Sequence, residues 1–148
     1  MSLTIQPTYN HAISSGRGNR VVFTNQALVA IALVAADKVR IVRIAGGTKI
    51  DRVVIKTAGD LDSGTGVLTA QIGFEHIDGS TGASLTDVAG TGANALATAN
   101  ATTTYELCPP VTVAKDSYLV ITCVVGANAQ ASAVVVHGKV EGEGLGVA

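Results

Sequence analysis

A chain of 148 residues has about the length of one domain and can bury a core without disulfides or metal. Its 47% hydrophobic content excludes general disorder, and its longest apolar run, Ala27 to Ala36, falls short of the ~18 residues of a membrane span. With a net charge of -1 and ten scattered Lys and Arg, it lacks the basic face of a nucleic-acid binder.

Only 14% of the residues are charged, against about 25% in an ordinary globular chain. A near-neutral surface of Val, Ala, Gly and Thr is poorly protected against association. Partner subunits are therefore expected to cover part of it, as in a homo-oligomer, dimer or trimer. The start, Met1 to Pro7, has no basic stretch followed by an apolar one, so no secretory leader is expected.

Residues 1–25 read as an N-terminal arm or flexible segment. Ser14-Ser15-Gly16-Arg17-Gly18-Asn19-Arg20 is polar and Gly-containing, and only Val21-Val22-Phe23 resembles a strand. In an arm that orders on a neighbour, Arg17 and Arg20 are the pairing groups, and Ile5, Tyr9, Ile13 and Phe23 are the anchors. Residues 26–141 form the expected β-sandwich domain, and 142–148 a flexible tail. The run Ala27–Ala36 fits helix or strand by period; its neighbours favour a strand, closed by a turn at Asp37-Lys38.

Three strands follow in a row: Lys38–Ala45, Lys49–Lys56 and Val67–His76. Gly46-Gly47-Thr48 and Ala58–Gly66 supply the turns. In the third strand Leu68, Ala70, Ile72 and Phe74 share one face, and Thr69, Gln71, Gly73 and Glu75 the other. Asp78 to Asn100 is the longest irregular stretch, relieved by a weak strand at Ser84–Val88. Thr102–Leu107 is another strand. Val111–Ala114 and Ser117–Val125 suggest a hairpin around Lys115-Asp116, with Leu119, Ile121, Cys123 and Val125 inward. Pairing Val113 with Tyr118 would set Cys108 opposite Cys123. Pro109-Pro110 interrupts that ladder, however, and without an export signal both cysteines are expected to be reduced. In the last strand, Ala133–Glu141, Val134, Val136, Gly138 and Val140 oppose Val135, His137, Lys139 and Glu141. About eight half-buried strands predict an all-β, antiparallel, jelly-roll-like sandwich.

No constellation in the sequence points to catalysis. Asp60, Asp62 and Gly64 resemble the start of a calcium loop, but the twelfth position is Gln71, which offers no bidentate carboxylate. An Asp/Ser/Gly turn capping its own backbone is expected instead. Gly64-Thr65-Gly66 and Gly90-Thr91-Gly92 continue into no phosphate-binding pattern. His11, His76 and His137 are too dispersed to name a metal site, and there is no Gly-x-Ser-x-Gly elbow. The expectation is a non-enzyme with no catalytic residues, cofactor or metal.

Val39–Gly73 resembles a pattern in the capsid decoration (cement) proteins of tailed bacteriophages. Its pieces are the strand Val39-Arg40-Ile41-Val42-Arg43-Ile44, the turn Ala45-Gly46-Gly47, the strand Ile50-Asp51-Arg52-Val53-Val54-Ile55, the turn Asp60-Leu61-Asp62-Ser63-Gly64, and Thr69-Ala70-Gln71-Ile72-Gly73. The match covers about a quarter of the chain and consists of turns and strands, so it assigns no binding residues. It implies a jelly roll or related β-sandwich on the outside of a phage head, assembled in the host cytoplasm. Its partner would be the major capsid protein, whose neighbouring subunits it would clamp. The alternative is a receptor- or carbohydrate-binding sandwich of a fibre or tail. Against that stands a chain with no Trp and only Tyr9, Tyr105 and Tyr118 as stacking platforms.

Overall fold

β-branched residues alternating with polar ones favour a pleated, half-buried surface. The computed structural model describes residues 2–7, 13–15, 20–64, 67–93 and 101–144, and folds them into ten strands with no helix. They are β1 (Thr4–Ile5), β2 (Ile13–Ser15), β3 (Arg20–Val29), β4 (Lys38–Ile44), β5 (Thr48–Thr57), β6 (Thr69–His76), β7 (Ala89–Ala93), β8 (Thr102–Val113), β9 (Ser117–Val125) and β10 (Val134–Gly144).

Two five-stranded sheets form, ordered β1-β4-β9-β6-β7 (sheet I) and β2-β3-β10-β5-β8 (sheet II). From β3 to β10 every connection except β6–β7 passes from one sheet to the other, which is the winding of a jelly roll. The arm adds one short edge strand to each sheet: β1 lies parallel to β4, and β2 antiparallel to β3.

The inner faces bury Phe23, Ile41, Ile44, Ile50, Ile55, Ile72, Phe74, Leu119 and Ile121 among others. Each large aliphatic or aromatic side chain so buried contributes about 1.5–3 kcal/mol. The alternation read in β6 and β10 holds, with Leu68, Ala70, Ile72 and Phe74 inward, and likewise Val134, Val136, Gly138 and Val140. Gly138 has a packing reason. A Cβ there would lie 2.7 Å from Ile41 Cγ2 and 2.8 Å from Val42 Cγ2, so the missing side chain lets the sheets close.

Several expectations are corrected. The three strands read in a row all form, but they alternate between the sheets: β4 and β6 lie in sheet I and β5 in sheet II. A short glycine turn serves a corner between sheets as well as a hairpin. Nor do β8 and β9 pair: β8 joins β5, and β9 lies between β4 and β6. Cys108 (exposed) and Cys123 (buried) therefore sit in different sheets, and both are free. β8 runs on through Pro109-Pro110, as an edge strand can, but its pairing jumps from Glu106–Arg52 to Val111–Ile50, so 107–110 bulge out.

Only the first part of Ala27–Ala36 is strand, since β3 ends at Val29. Ser84–Val88 is a turn rather than a strand, closed by the Ser84 N–H on Asp87 Oδ2 at 3.1 Å. Val125 is exposed, because an irregularity between the Thr69–Val125 and Ala70–Cys123 pairs breaks the alternation of β9. The boundaries shift too. β3 begins at Arg20, inside the expected arm of residues 1–25, and β10 runs to Gly144, inside the expected tail.

Candidate interaction surface

Of the residues expected to anchor an arm on a partner, the structure brings few together. Ile5, in β1, is half-buried and packs against the core. Phe23 is 7% exposed and belongs to the core, so its ring is not free to anchor a partner. Arg20 is exposed but engaged: its guanidinium pairs with Asp51 and lies 3.8 Å from Glu141. That partnership holds the Asp51 carboxyl below its ordinary range. Ile13 lies in β2, opposite Thr24. Tyr9 and Arg17 lie outside the described residues, as does His11.

The chemistry instead divides between the two ends of the sandwich. At one end meet the β3–β4 connection (30–37), the described parts of the β5–β6 connection (58–64 and 67–68) and the β9–β10 connection (126–133). Two buried carboxylates tie them. Asp37, 2% exposed, accepts the Leu3 N–H at 2.6 Å and the Val34 N–H at 2.9 Å. Its carbonyl accepts the Cys123 N–H at 2.8 Å, and the Leu3 carbonyl accepts the Lys38 N–H at 2.8 Å. The Asp37 side chain thus joins the arm to the β3–β4 connection, and its main-chain carbonyl adds β9.

Asp62 does the same for the other connections. It accepts N–H groups from Gly64 at 3.2 Å, Leu68 at 3.0 Å and Asn128 at 3.2 Å. Burial alone would raise its pKa, but those backbone donors outweigh burial and leave the carboxyl below the ordinary range. Asp60 caps the turn by accepting the Asp62 N–H at 2.9 Å, so the self-capping turn read from the sequence forms and also clasps a distant loop.

With polar groups turned inward, apolar ones face out. Ile31 (61% exposed), Val34 (56%), Val125, Val67 and Leu3 all lie at this end; they are five of the seven large apolar side chains exposed among the described residues. Val34 and Val125 are brought together by Gly126, whose Cβ, if present, would be 3.1 Å from the Val34 Cα. Asp37, Asp60 and Asp62 are the only charged residues in 30–37, 58–64 and 126–133. Sequence reading missed this surface. Ile31 continues the alternation of Ala27 and Val29, and nothing local marks where β3 stops.

The opposite end is ionic. Asp116 accepts the Gly46 N–H at 2.9 Å and an Arg43 Nη at 2.9 Å, and these two partners hold its carboxyl below the ordinary range. Lys115 Nζ reaches Asp78 Oδ2 at 3.0 Å and Ser80 Oγ at 2.9 Å. Hydrogen bonds from Ser80 and Lys115 hold the Asp78 carboxyl far below its ordinary value. Beneath them His76 is buried, with Nδ1 2.8 Å from Ser117 Oγ. Ser117 spends its one proton on the Lys115 carbonyl, so His76 Nδ1 is the donor in that pair.

Residues 77–88 pack onto the outer face of sheet I rather than standing free. A Cβ on Gly73 would lie 2.2 Å from the Ser84 carbonyl oxygen. On the same face Glu75 is gripped by Lys38 Nζ at 2.7 Å and Arg40 Nε at 3.0 Å. The Arg40 guanidinium lies over the Tyr118 ring, 5.2 Å from its centre. The outer face of sheet II carries a shallow depression of about 260 Å³ lined by Thr24, Val54, Lys56 and His137 among others. His137 is exposed there. Among the described residues no three His, Cys, Asp or Glu side chains are grouped to hold a metal.

No protein-family model matches the chain, and no curated protein matches it in sequence. Solved structures do. A chain in the capsid of Ralstonia phage GP4 superposes with a TM-score of 0.66 at 14% identity, over 98% of this chain and 99% of that one. A chain in the capsid asymmetric unit of cyanophage Pam1 gives 0.62 at 16%, over 88% and 91%. A chain in the acid-stable capsid of Helicobacter pylori bacteriophage KHP30 gives 0.52 at 15%, over 88% and 91%. What these likenesses establish is the fold.

Proposed function

We propose that this chain is a non-enzymatic structural protein of a phage virion, a decoration protein that binds the outside of the capsid and stabilises the shell. The observation that carries the reading is the superposition on chains of three phage capsids, almost end to end for Ralstonia phage GP4. The turn-and-strand pattern of Val39–Gly73 supports it from the sequence.

The mechanism is adhesion. A stable specific interface buries roughly 1,200–2,000 Å² in total, and a protein that spans adjoining capsid subunits adds that area to the cost of separating them. Repetition over a shell multiplies the effect without any strong single contact. The partner is the major capsid protein.

The carbohydrate-binding alternative finds little support in the tyrosines among the described residues. Tyr118 is covered by Arg40, and Tyr105 is half-buried, with burial pushing its phenol pKa up.

Purified shells lacking the protein, mixed with it and sedimented, test the reading. Saturable co-sedimentation and a higher shell-disruption temperature are expected. Absence of binding at micromolar protein, together with binding on a glycan array, would overturn it in favour of the alternative.

A further inference from the structure

We propose that the depression on the outer face of sheet II receives a carboxylate, an Asp or Glu side chain of the capsid chain to which this protein binds. Lys56 is its counter-ion, and His137 stands beside Lys56 as a second donor. The partner is taken from the shell reading, on which this inference rests; the face and the sign of the partner's charge come from the depression itself.

The strand register sets the geometry. In the β5–β10 ladder Lys56 is directly opposite His137, and Lys139 opposite Val54. Directly opposed side chains start about 5 Å apart, so the two oxygens of one carboxylate can accept from the Lys56 ammonium and a His137 ring N–H together. Both side chains are exposed, whereas Val54 is half-buried, which gives the hollow an apolar floor with donors at its margin. Thr24, opposite Lys139 in the β10–β3 ladder, adds a hydroxyl.

Charge identifies the occupant. Among the described Lys and Arg residues, Lys49 and Lys56 alone make no ion pair. No described Asp or Glu lines the depression. Other carboxylates of sheet II are engaged elsewhere: Arg20 holds Asp51, Arg52 holds Glu106, and Lys139 turns to Glu141. Size then favours a protein side chain over a free ligand. At about 260 Å³ the hollow is smaller than the roughly 300–1,000 Å³ of pockets for small organic molecules. The anionic side chains a protein surface offers are Asp and Glu, and a charge contact of this kind fixes the register of one protein on another.

Co-sedimentation with purified shells lacking the protein gives a dissociation constant for the full-length wild type and for Lys56→Arg, Lys56→Gln and Lys56→Glu. The control is Lys49→Glu, at the other unpaired lysine, exposed on the same strand and opposite Glu143. Because both positions are exposed, the variants should fold, and a thermal melt checks that they do. Affinity should follow the charge at position 56. Lys56→Arg should stay within about 3-fold of the wild type, Lys56→Gln should bind about 10-fold more weakly, and Lys56→Glu at least about 100-fold more weakly. Lys49→Glu should stay within about 3-fold. Added NaCl should weaken the wild type more than Lys56→Gln, which has no contact left to screen.

A wild type that does not sediment with shells overturns the shell reading and this inference with it. Binding that is indifferent to Lys56→Gln and Lys56→Glu overturns the inference alone, as does an equal loss in Lys49→Glu. Tighter binding of Lys56→Glu also overturns it, because the face would then meet cations.

Discussion

The two ends of this sandwich close the same kind of strand connections by opposite means. At the ionic end, carboxylates face side-chain cations in water, as Asp116 does Arg43 and Asp78 does Lys115. At the apolar end, the carboxylates of Asp37 and Asp62 turn inward and are neutralised by backbone N–H groups. The difference decides what each surface can do. A loop held by exposed ion pairs must show its charges, whereas a loop held by a buried carboxylate can present whatever side chains remain. In this chain those are Ile, Val and Leu.

The comparison can be broken hardest at Gly73. Valine there would drive a side chain into the Ser84 and Leu85 backbone, which cannot shift without releasing the 77–88 excursion. A loss of more than about 3 kcal/mol is expected, in the range of severe overpacking. Urea unfolding measures it. A near-neutral Gly73→Val would show that this excursion does not press on sheet I.

The sharper test sets one buried carboxylate, with its two hydrogen bonds, against one ion pair. Asp37→Ala strands the Leu3 and Val34 N–H groups in a partly buried site and should cost about 3 kcal/mol. Arg43→Ala removes a pair exposed on both sides and should cost about 0.5 kcal/mol. Hydrogen exchange should also show the Lys38 amide, held by the Leu3 carbonyl, losing protection in Asp37→Ala alone. Equal losses from the two variants would erase the distinction between the ends.

How much of this was legible in the sequence depends on how far apart the interacting groups lie. The inward faces of β6 and β10 were readable because alternation is a local property, and eight strands with glycine turns led to the correct architecture. The pairing was not readable. Gly46-Gly47 looks the same whether it joins neighbours or crosses between sheets, and the Lys115-Asp116 turn that suggested a hairpin also crosses. The two clasps were hidden for a similar reason. Asp62 was legible as a cap on its own turn, but its bond to Asn128 spans 66 positions, and Asp37 reaches Leu3 across 34. The burial of Phe23 is hidden in the sequence because the polar residues before it conceal the start of β3.

Acid separates the ends less strongly, and salt makes the separation visible. Asp62 and Asp116 both have pKa values depressed by folding. The stability each contributes is therefore full above the unfolded carboxyl value of about 4, and is lost as pH falls through the lower folded value. At 1 M salt the Debye length is about 3 Å, so the exposed Arg43–Asp116 pair is screened and Asp116 keeps only its Gly46 bond, while all the buried bonds of Asp62 remain. Unfolding from pH 5 to pH 2 in high salt should thus remain acid-sensitive in Asp116→Asn and become flatter in Asp62→Asn. The reverse ranking would mean that the ionic end governs acid stability.

The smallest expected effect lies in the hinge of the apolar end. Ala36 is the one non-glycine residue with positive φ among the described residues, at 74°, immediately before Asp37. A left-handed conformation costs an L-residue roughly 1–2 kcal/mol, because Cβ crowds the following carbonyl oxygen. Here the turn is held by the Ala36 N–H on the Cys123 carbonyl at 2.9 Å and by the Asp37 N–H on the Val34 carbonyl at 3.1 Å. Glycine would remove the crowding, but its unfolded chain is freer by about 0.4–1 kcal/mol. The net expectation for Ala36→Gly is a gain of about 0.5 kcal/mol, read as a higher urea midpoint at unchanged slope. A loss would mean that the Ala36 methyl makes packing contacts worth more than the strain. A gain would mean that the apolar end accepts local backbone strain to aim Asp37 at its two N–H donors.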